Sequence, residues 1–161
     1  QKTAYEIPKR DWSSDVCSSD LGQLSTVYST QSILLSGAIS SIGVNSDYCV
    51  VIGNNSNVGS YSSYSVLVGS STYTNGYNSV VVGFGSTSSI CGTALGCYTY
   101  APSTGSMAIG CFASASASYA TNLGTYNGAF DNSTPYQMML GGWNGFSNEP
   151  WMALKIGRAH V

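Results

Sequence analysis

Apolar residues recur along the chain in a fixed unit: a small residue, an apolar one, any residue, a second apolar one, then glycine. Strong copies are Cys49–Val50–Val51–Ile52–Gly53, Ser65–Val66–Leu67–Val68–Gly69, Ser79–Val80–Val81–Val82–Gly83 and Ser106–Met107–Ala108–Ile109–Gly110. Weaker copies are Gly92–Thr93–Ala94–Leu95–Gly96 and Ala120–Thr121–Asn122–Leu123–Gly124. Ser32–Ile33–Leu34–Leu35–Ser36 reads as an earlier copy with Ser for Gly, and Gln137–Met138–Met139–Leu140–Gly141 as the last. The closing glycines are Gly53, Gly69, Gly83, Gly96, Gly110, Gly124 and Gly141, whose position numbers differ in turn by 16, 14, 13, 14, 14 and 17. Each unit alternates as a strand does, so the positions three and one before the glycine share a face. Those pairs are Val50/Ile52, Val66/Val68, Val80/Val82, Met107/Ile109 and Met138/Leu140. The glycine permits a sharp bend or a positive φ that other residues resist.

A period near fourteen is too short for a helical repeat or a propeller blade. It predicts one coil of a small β-solenoid with two short strands. The stretches between units are polar and alternate as well: Asn57–Val58–Gly59, Thr72–Tyr73–Thr74, Ser114–Ala115–Ser116–Ala117. They predict the second strand. Helix is disfavoured by the density of Ser, Thr, Gly, Val and Tyr. Stacked coils would align the two apolar positions into two continuous ladders, which are expected to be buried. Each coil then buries only two or three apolar residues, little against the entropy of ordering its backbone. An oligomer is therefore expected, of a size this argument leaves open.

Charge narrows the function. Between residues 22 and 154 the only charged side chains are Asp47, Asp131 and Glu149, with no Lys, Arg or His. An ordinary domain has about a quarter of its residues charged. With nothing to neutralise phosphates, nucleic acid is not an expected partner, nor is an anionic membrane surface. The apolar runs are too short to span a bilayer.

The two ends read differently from the rest. Residues 1–7 and 11–21 resemble translated sequencing-adaptor DNA, with Pro8–Lys9–Arg10 where a sample index would lie, and 156–161 resemble the opposite adaptor. Residues 1–21 and 155–161 are therefore expected not to be native; Lys155 joins them because adaptor bases could set its codon. The native part, 22–154, is expected to be an internal piece of a longer protein. It divides into β-roll repeats over 22–141 and a closing segment over 142–154. The sole histidine, His160, and Cys17 both fall in the adaptor-like ends.

The S-V-x-I-G unit at this spacing, over roughly Ser32 to Gly141, resembles the head repeats of trimeric autotransporter adhesins (YadA-like) and similar repeats in phage tail fibres. The segment Thr134–Pro135–Tyr136–Gln137–Met138–Met139–Leu140–Gly141–Gly142–Trp143–Asn144 resembles the end of such an array. The resemblance implies an all-β, left-handed parallel β-roll, three intertwined chains in a homotrimer, and an attachment role. It implies a host-surface protein or glycan as partner, on a bacterial outer surface or a virion tail fibre. Any membrane link would come only through parts of the protein outside this sequence. Two alternatives stand beside it: a single-chain β-solenoid that binds ice, and a fibre spacer without a ligand. An outward T-x-T file on a flat face would favour ice binding.

Catalysis is not expected. A Ser/His/Asp or Cys/His set lacks a native histidine, and the carboxylates nearest in sequence, Asp131 and Glu149, lie in the irregular end. No phosphate-binding loop is present in the sequence, and no cofactor is expected. Cys49, Cys91, Cys97 and Cys111 form no C-x-x-C pair, which disfavours zinc; they read as free and buried. Cys97 and Cys111 each follow a repeat glycine, so they are expected as neighbours about 4.8 Å apart, with a bond left open. Tyr61, Tyr64, Tyr73, Tyr77, Tyr98 and Tyr100 recur outside the apolar ladders. They are candidate ligand-binding residues, able to stack on sugars or anchor a partner, or else covers for strand edges and turns. Trp143 and Trp151 are expected to close the core. Asn54–Asn55–Ser56 and Asn132–Ser133–Thr134 match the glycosylation pattern, as chance allows in so Asn- and Ser-rich a chain.

Overall fold

A computed structural model describes residues 25–36, 39–125, 130–142 and 152–155. The adaptor-like ends up to residue 24 and from 156, together with Trp143, Glu149 and Trp151, lie outside the described residues. The first half of the strands are β1 Thr26–Val27, β2 Ile33–Leu35, β3 Ser41–Ile42, β4 Val50–Ile52, β5 Asn57–Val58, β6 Val66–Ser70, β7 Tyr73–Thr74 and β8 Val80–Phe84. Then follow β9 Thr87–Ser88, β10 Thr93–Cys97, β11 Tyr100–Ala101, β12 Met107–Ile109, β13 Ala113–Ser114, β14 Thr121–Thr125, β15 Phe130–Asp131, β16 Gln137–Gly142 and β17 Met152–Lys155. Even-numbered strands from β2 to β16 stack into one parallel sheet, and odd-numbered strands from β1 to β15 into a second. The chain is a β-solenoid of about eight coils. The repeat units are its large strands, and the polar stretches between them its small strands, as the sequence predicts. β17 adds to the large sheet as an antiparallel strand beyond β16, opposing Met138 to Leu154 and Leu140 to Met152.

The register also follows the repeat. Val66 sits opposite Val80, Val68 opposite Val82 and Gly69 opposite Gly83; Thr93 sits opposite Met107 and Leu95 opposite Ile109. The two ladders therefore exist, but they are not the interior. The buried residue is the middle one of each repeat unit: Leu34, Val51, Leu67, Val81, Ala94, Ala108 and Asn122, each 0% exposed, and Met139. Ile33, Ile52, Val80, Val82 and Met107, by contrast, are 37–43% exposed on the outer face. The reason is room. A coil this narrow encloses one side chain from each strand; the small strands supply Ile42, Val58, Thr74, Ser88 and Ala101.

The enclosed side chains change along the rod. The first two coils, with Ile33 stacked on Val50 and Val50 on Val66, enclose Leu34, Ile42, Val51 and Val58. The middle coils, with Val80 stacked on Thr93 and Thr93 on Met107, enclose Val81, Ser88, Ala94, Ala101 and Ala108. Close packing requires the side chains that face one another across each coil to fill it together.

The corners share one device. A residue in the left-handed region is followed by a small buried one: Asn45–Ser46, Asn55–Ser56, Tyr61–Ser62, Tyr64–Ser65, Ser71–Thr72, Asn78–Ser79, Tyr98–Thr99. Several of the buried serine hydroxyls bond to the adjoining coil, whereas the hydroxyls of Thr72 and Thr99 find no partner. Ser46 Oγ accepts from the Ser62 amide (3.0 Å) and donates to the Gly59 carbonyl (2.7 Å). Ser56 Oγ accepts from the Thr72 amide (3.3 Å) and donates to Gly69 (3.1 Å). At these bends, backbone groups that leave the strand ladders are paired this way, away from water. At the end of the large strands Gly53, Gly69, Gly83 and Gly96 have φ of 137–138°. A Cβ built on Gly83 would collide with the carbonyl oxygen of Gly96, and one on Gly69 with that of Gly83.

Candidate functional site

Two outward faces and the corners between them carry the candidate chemistry. The large sheet presents two files. One runs Ile33, Val50, Val66, Val80, Thr93, Met107, Thr121, Met138; the other Leu35, Ile52, Val68, Val82, Leu95, Ile109, Leu123, Leu140. Every member is exposed or half-buried. Eight rungs at about 4.8 Å, and two alternate residues plus their flanks about 10 Å wide, make a strip of roughly 340 Å². It bears no charge and only two hydroxyls. That is about the size of the largest apolar patch on an ordinary single chain, which is often functional.

The small sheet presents one file per rung: Thr26, Ser41, Asn57, Tyr73, Thr87, Tyr100, Ser114, Asp131. It is polar and mixed. Ser41 Oγ and Asn57 Oδ1 lie 2.9 Å apart, and Ser114 Oγ donates to Asp131 Oδ1 at 2.7 Å. Ser116 supplies its amide to the same oxygen (3.0 Å) and its hydroxyl to Oδ2. Asp47 likewise accepts the Thr30 amide (2.8 Å) and hydroxyl (2.9 Å). Both carboxylates tie adjacent coils together. No group of three or more His, Cys, Asp or Glu able to hold a metal occurs among the described residues. No outward T-x-T file occurs among them either.

The six candidate tyrosines do not converge. Tyr73 and Tyr100 belong to the small-sheet file, two rungs apart with Thr87 between them. Tyr61, Tyr64 and Tyr98 are corner residues with φ of 52–61°, and Tyr77 precedes the Asn78 corner. Two of the six pair with aromatic neighbours on an adjoining coil. Tyr64 stacks on Tyr48 (centroids 4.9 Å) and Tyr98 on Phe112 (5.1 Å), while Tyr119 stacks on Tyr136 (5.2 Å). A ring face covered by another ring is not open to a sugar, so Tyr64 and Tyr98 each have one face closed, while Tyr61 stands exposed at its corner. The sequence hid this because the left-handed corner leaves no mark beyond the small residue that follows it.

The cysteines depart from the free, buried reading. Cys97 and Cys111 fall on adjacent coils with Cα atoms 4.7 Å apart and are disulfide-bonded. The parallel register brings them within bonding distance. Cys91 is exposed because it occupies a left-handed corner at φ 54°. Cys49 is buried as expected and takes a serine's place in the corner ladder: its amide donates to Ser32 Oγ (3.0 Å) and its thiol to the Ser62 carbonyl (3.2 Å). Burial pushes this thiol above its ordinary pKa. Of the two glycosylation patterns, Asn132 is buried, its amide nitrogen donating to the Thr121 and Gln137 carbonyls (2.9 and 2.8 Å), and so is closed to modification. No protein-family model matches this chain, and no curated protein matches it in sequence.

Proposed function

We propose that this chain is a segment of a surface-exposed fibre or adhesin head. In this reading three copies assemble as left-handed parallel β-rolls around a common axis, and the rod serves attachment to a host or another surface, without catalysis. The observation that carries the reading is the apolar strip on the outer face of the large sheet. In a lone chain it meets water along all eight rungs. Two copies joined by the strip alone would bury roughly 340 Å² each, well under the roughly 800 Å² per partner of a stable pair. Three copies around an axis also bring the flanking corners into contact. The Cys97–Cys111 disulfide fits an oxidising, extracellular setting. The polar small-sheet face remains outward, where a surface ligand would meet it.

The test is the mass in solution by light scattering after gel filtration, for the native chain and for V68E/V82E. Three chains are expected for the first. One folded chain is expected for the second, because both residues lie on the strip and not in the core. A folded single chain without substitution would sink the assembly and leave the solenoid to act alone.

A further inference from the structure

The two hydroxyls on the strip are unevenly placed. Thr93 and Thr121 occupy the fifth and seventh rungs of the first file; every other member of both files is apolar. We infer that Thr93 and Thr121 set the axial register between copies of this chain, so that partners dock parallel with like rungs at like height. This rests on the assembly proposed above.

The argument is one of matching. A threonine hydroxyl both donates and accepts, so copies meeting at the same height satisfy one another. Inside an apolar interface an unmatched hydroxyl is costly. With like rungs level, Thr93 meets Thr93, Thr121 meets Thr121, and all eight rungs are covered. A slip of one rung sets Thr93 against Val80 or Met107, and Thr121 against Met107 or Met138, leaving every hydroxyl unmatched. A slip of two rungs recovers only one Thr93–Thr121 meeting and uncovers two rungs. Antiparallel docking can match both, but only when centred on Met107, which leaves five rungs in contact. The level parallel arrangement alone combines full matching with full coverage. The remainder of the strip, two files of Val, Ile, Leu and Met, is nearly the same at every rung and would tolerate slippage, as flat and uniform strands do. A buried polar residue that fixes register within an apolar seam has the same logic in coiled coils.

The experiment uses the full chain with Cys17→Ser, spin-labelled at the exposed Cys91, which lies two residues before Thr93 on the rim of the strip. Pulsed electron resonance reads the distances between labels on different copies. The native chain is expected to give one narrow distance. T93V/T121V is expected to keep the same mass by light scattering but to gain longer distances, from axial offsets in steps of about 4.8 Å. T93S/T121S, which keeps the hydroxyls, is expected to restore the single distance. An unchanged single distance in T93V/T121V, at unchanged mass, overturns the register role while leaving the assembly standing. A single-chain mass for the native protein overturns both.

Discussion

Where each large strand ends, the backbone of one coil lies directly on the next, and this decides the residue. Gly83 has φ 138°, and its missing Cβ is the space taken by the Gly96 carbonyl. Gly83→Ala therefore meets both a forbidden backbone region and rigid backbone, not a side chain that could move aside. It is expected to cost more than about 3 kcal/mol, read as a fall in the thermal midpoint by circular dichroism; a midpoint within a few degrees of the parent would refute the stacking argument. The cysteines differ for an equally local reason. Cys91 faces water from its corner, whereas Cys49 is enclosed and its thiol pKa is raised by desolvation. Iodoacetamide at pH 8 is expected to modify Cys91 and spare Cys49, as peptide mass spectrometry would show. The neutral Cys49 thiol contributes its full share below about pH 8.5, the ordinary thiol value. That contribution is lost as the pH rises further toward the folded-state pKa.

Each coil is a fitted ring. Filling varies along the rod, from Leu34, Val51 and Leu67 in the early coils to Ala94 and Ala108 in later ones. Two substitutions probe this from opposite sides. Leu67→Ala empties a coil built around a large side chain and is expected to cost about 2–5 kcal/mol. Ala94→Leu overfills one built around a small side chain and is expected to cost about 1–3 kcal/mol. Urea unfolding measures both, and a neutral Ala94→Leu would show that the coils expand freely. The corner ladder acts within the same ring. Hydroxyls such as Ser46, Ser56 and Ser86 close the hydrogen bonds that two strands per coil leave open at the bends.

The behaviour of the complete rod turns on which side the apolar ladders face. Turned inward they would have filled the core and left a polar exterior. Turned outward they give a rod whose core is thin, with Ser, Thr and Ala at many inward positions, and whose apolar ladders are unused by its own chain. The expected mass of three chains, and its loss in V68E/V82E, follow from that one arrangement. So does the leverage of Thr93 and Thr121, which lie on this strip and not on a polar exterior.

Much of this was legible beforehand. The glycine-closed unit and its steps placed the strands, the parallel stacking and the proximity of Cys97 and Cys111, because a fixed period leaves stacked coils few registers to adopt. The corner tyrosines were not legible as corners, since a left-handed bend has no side-chain signature of its own when Tyr, Asn, Ser and Cys all occupy it. Nor was the inner face. Alternation says which residues share a side, but Val51, Leu67 and Val81 are as apolar as the residues flanking them, so either side could have been the core. Hydrophobic spacing and glycine are enough to dictate the coil and its register. Inside and outside are assigned only once the coils close and stack, because the narrow cross-section of so short a coil admits one side chain per strand and turns the paired ones out.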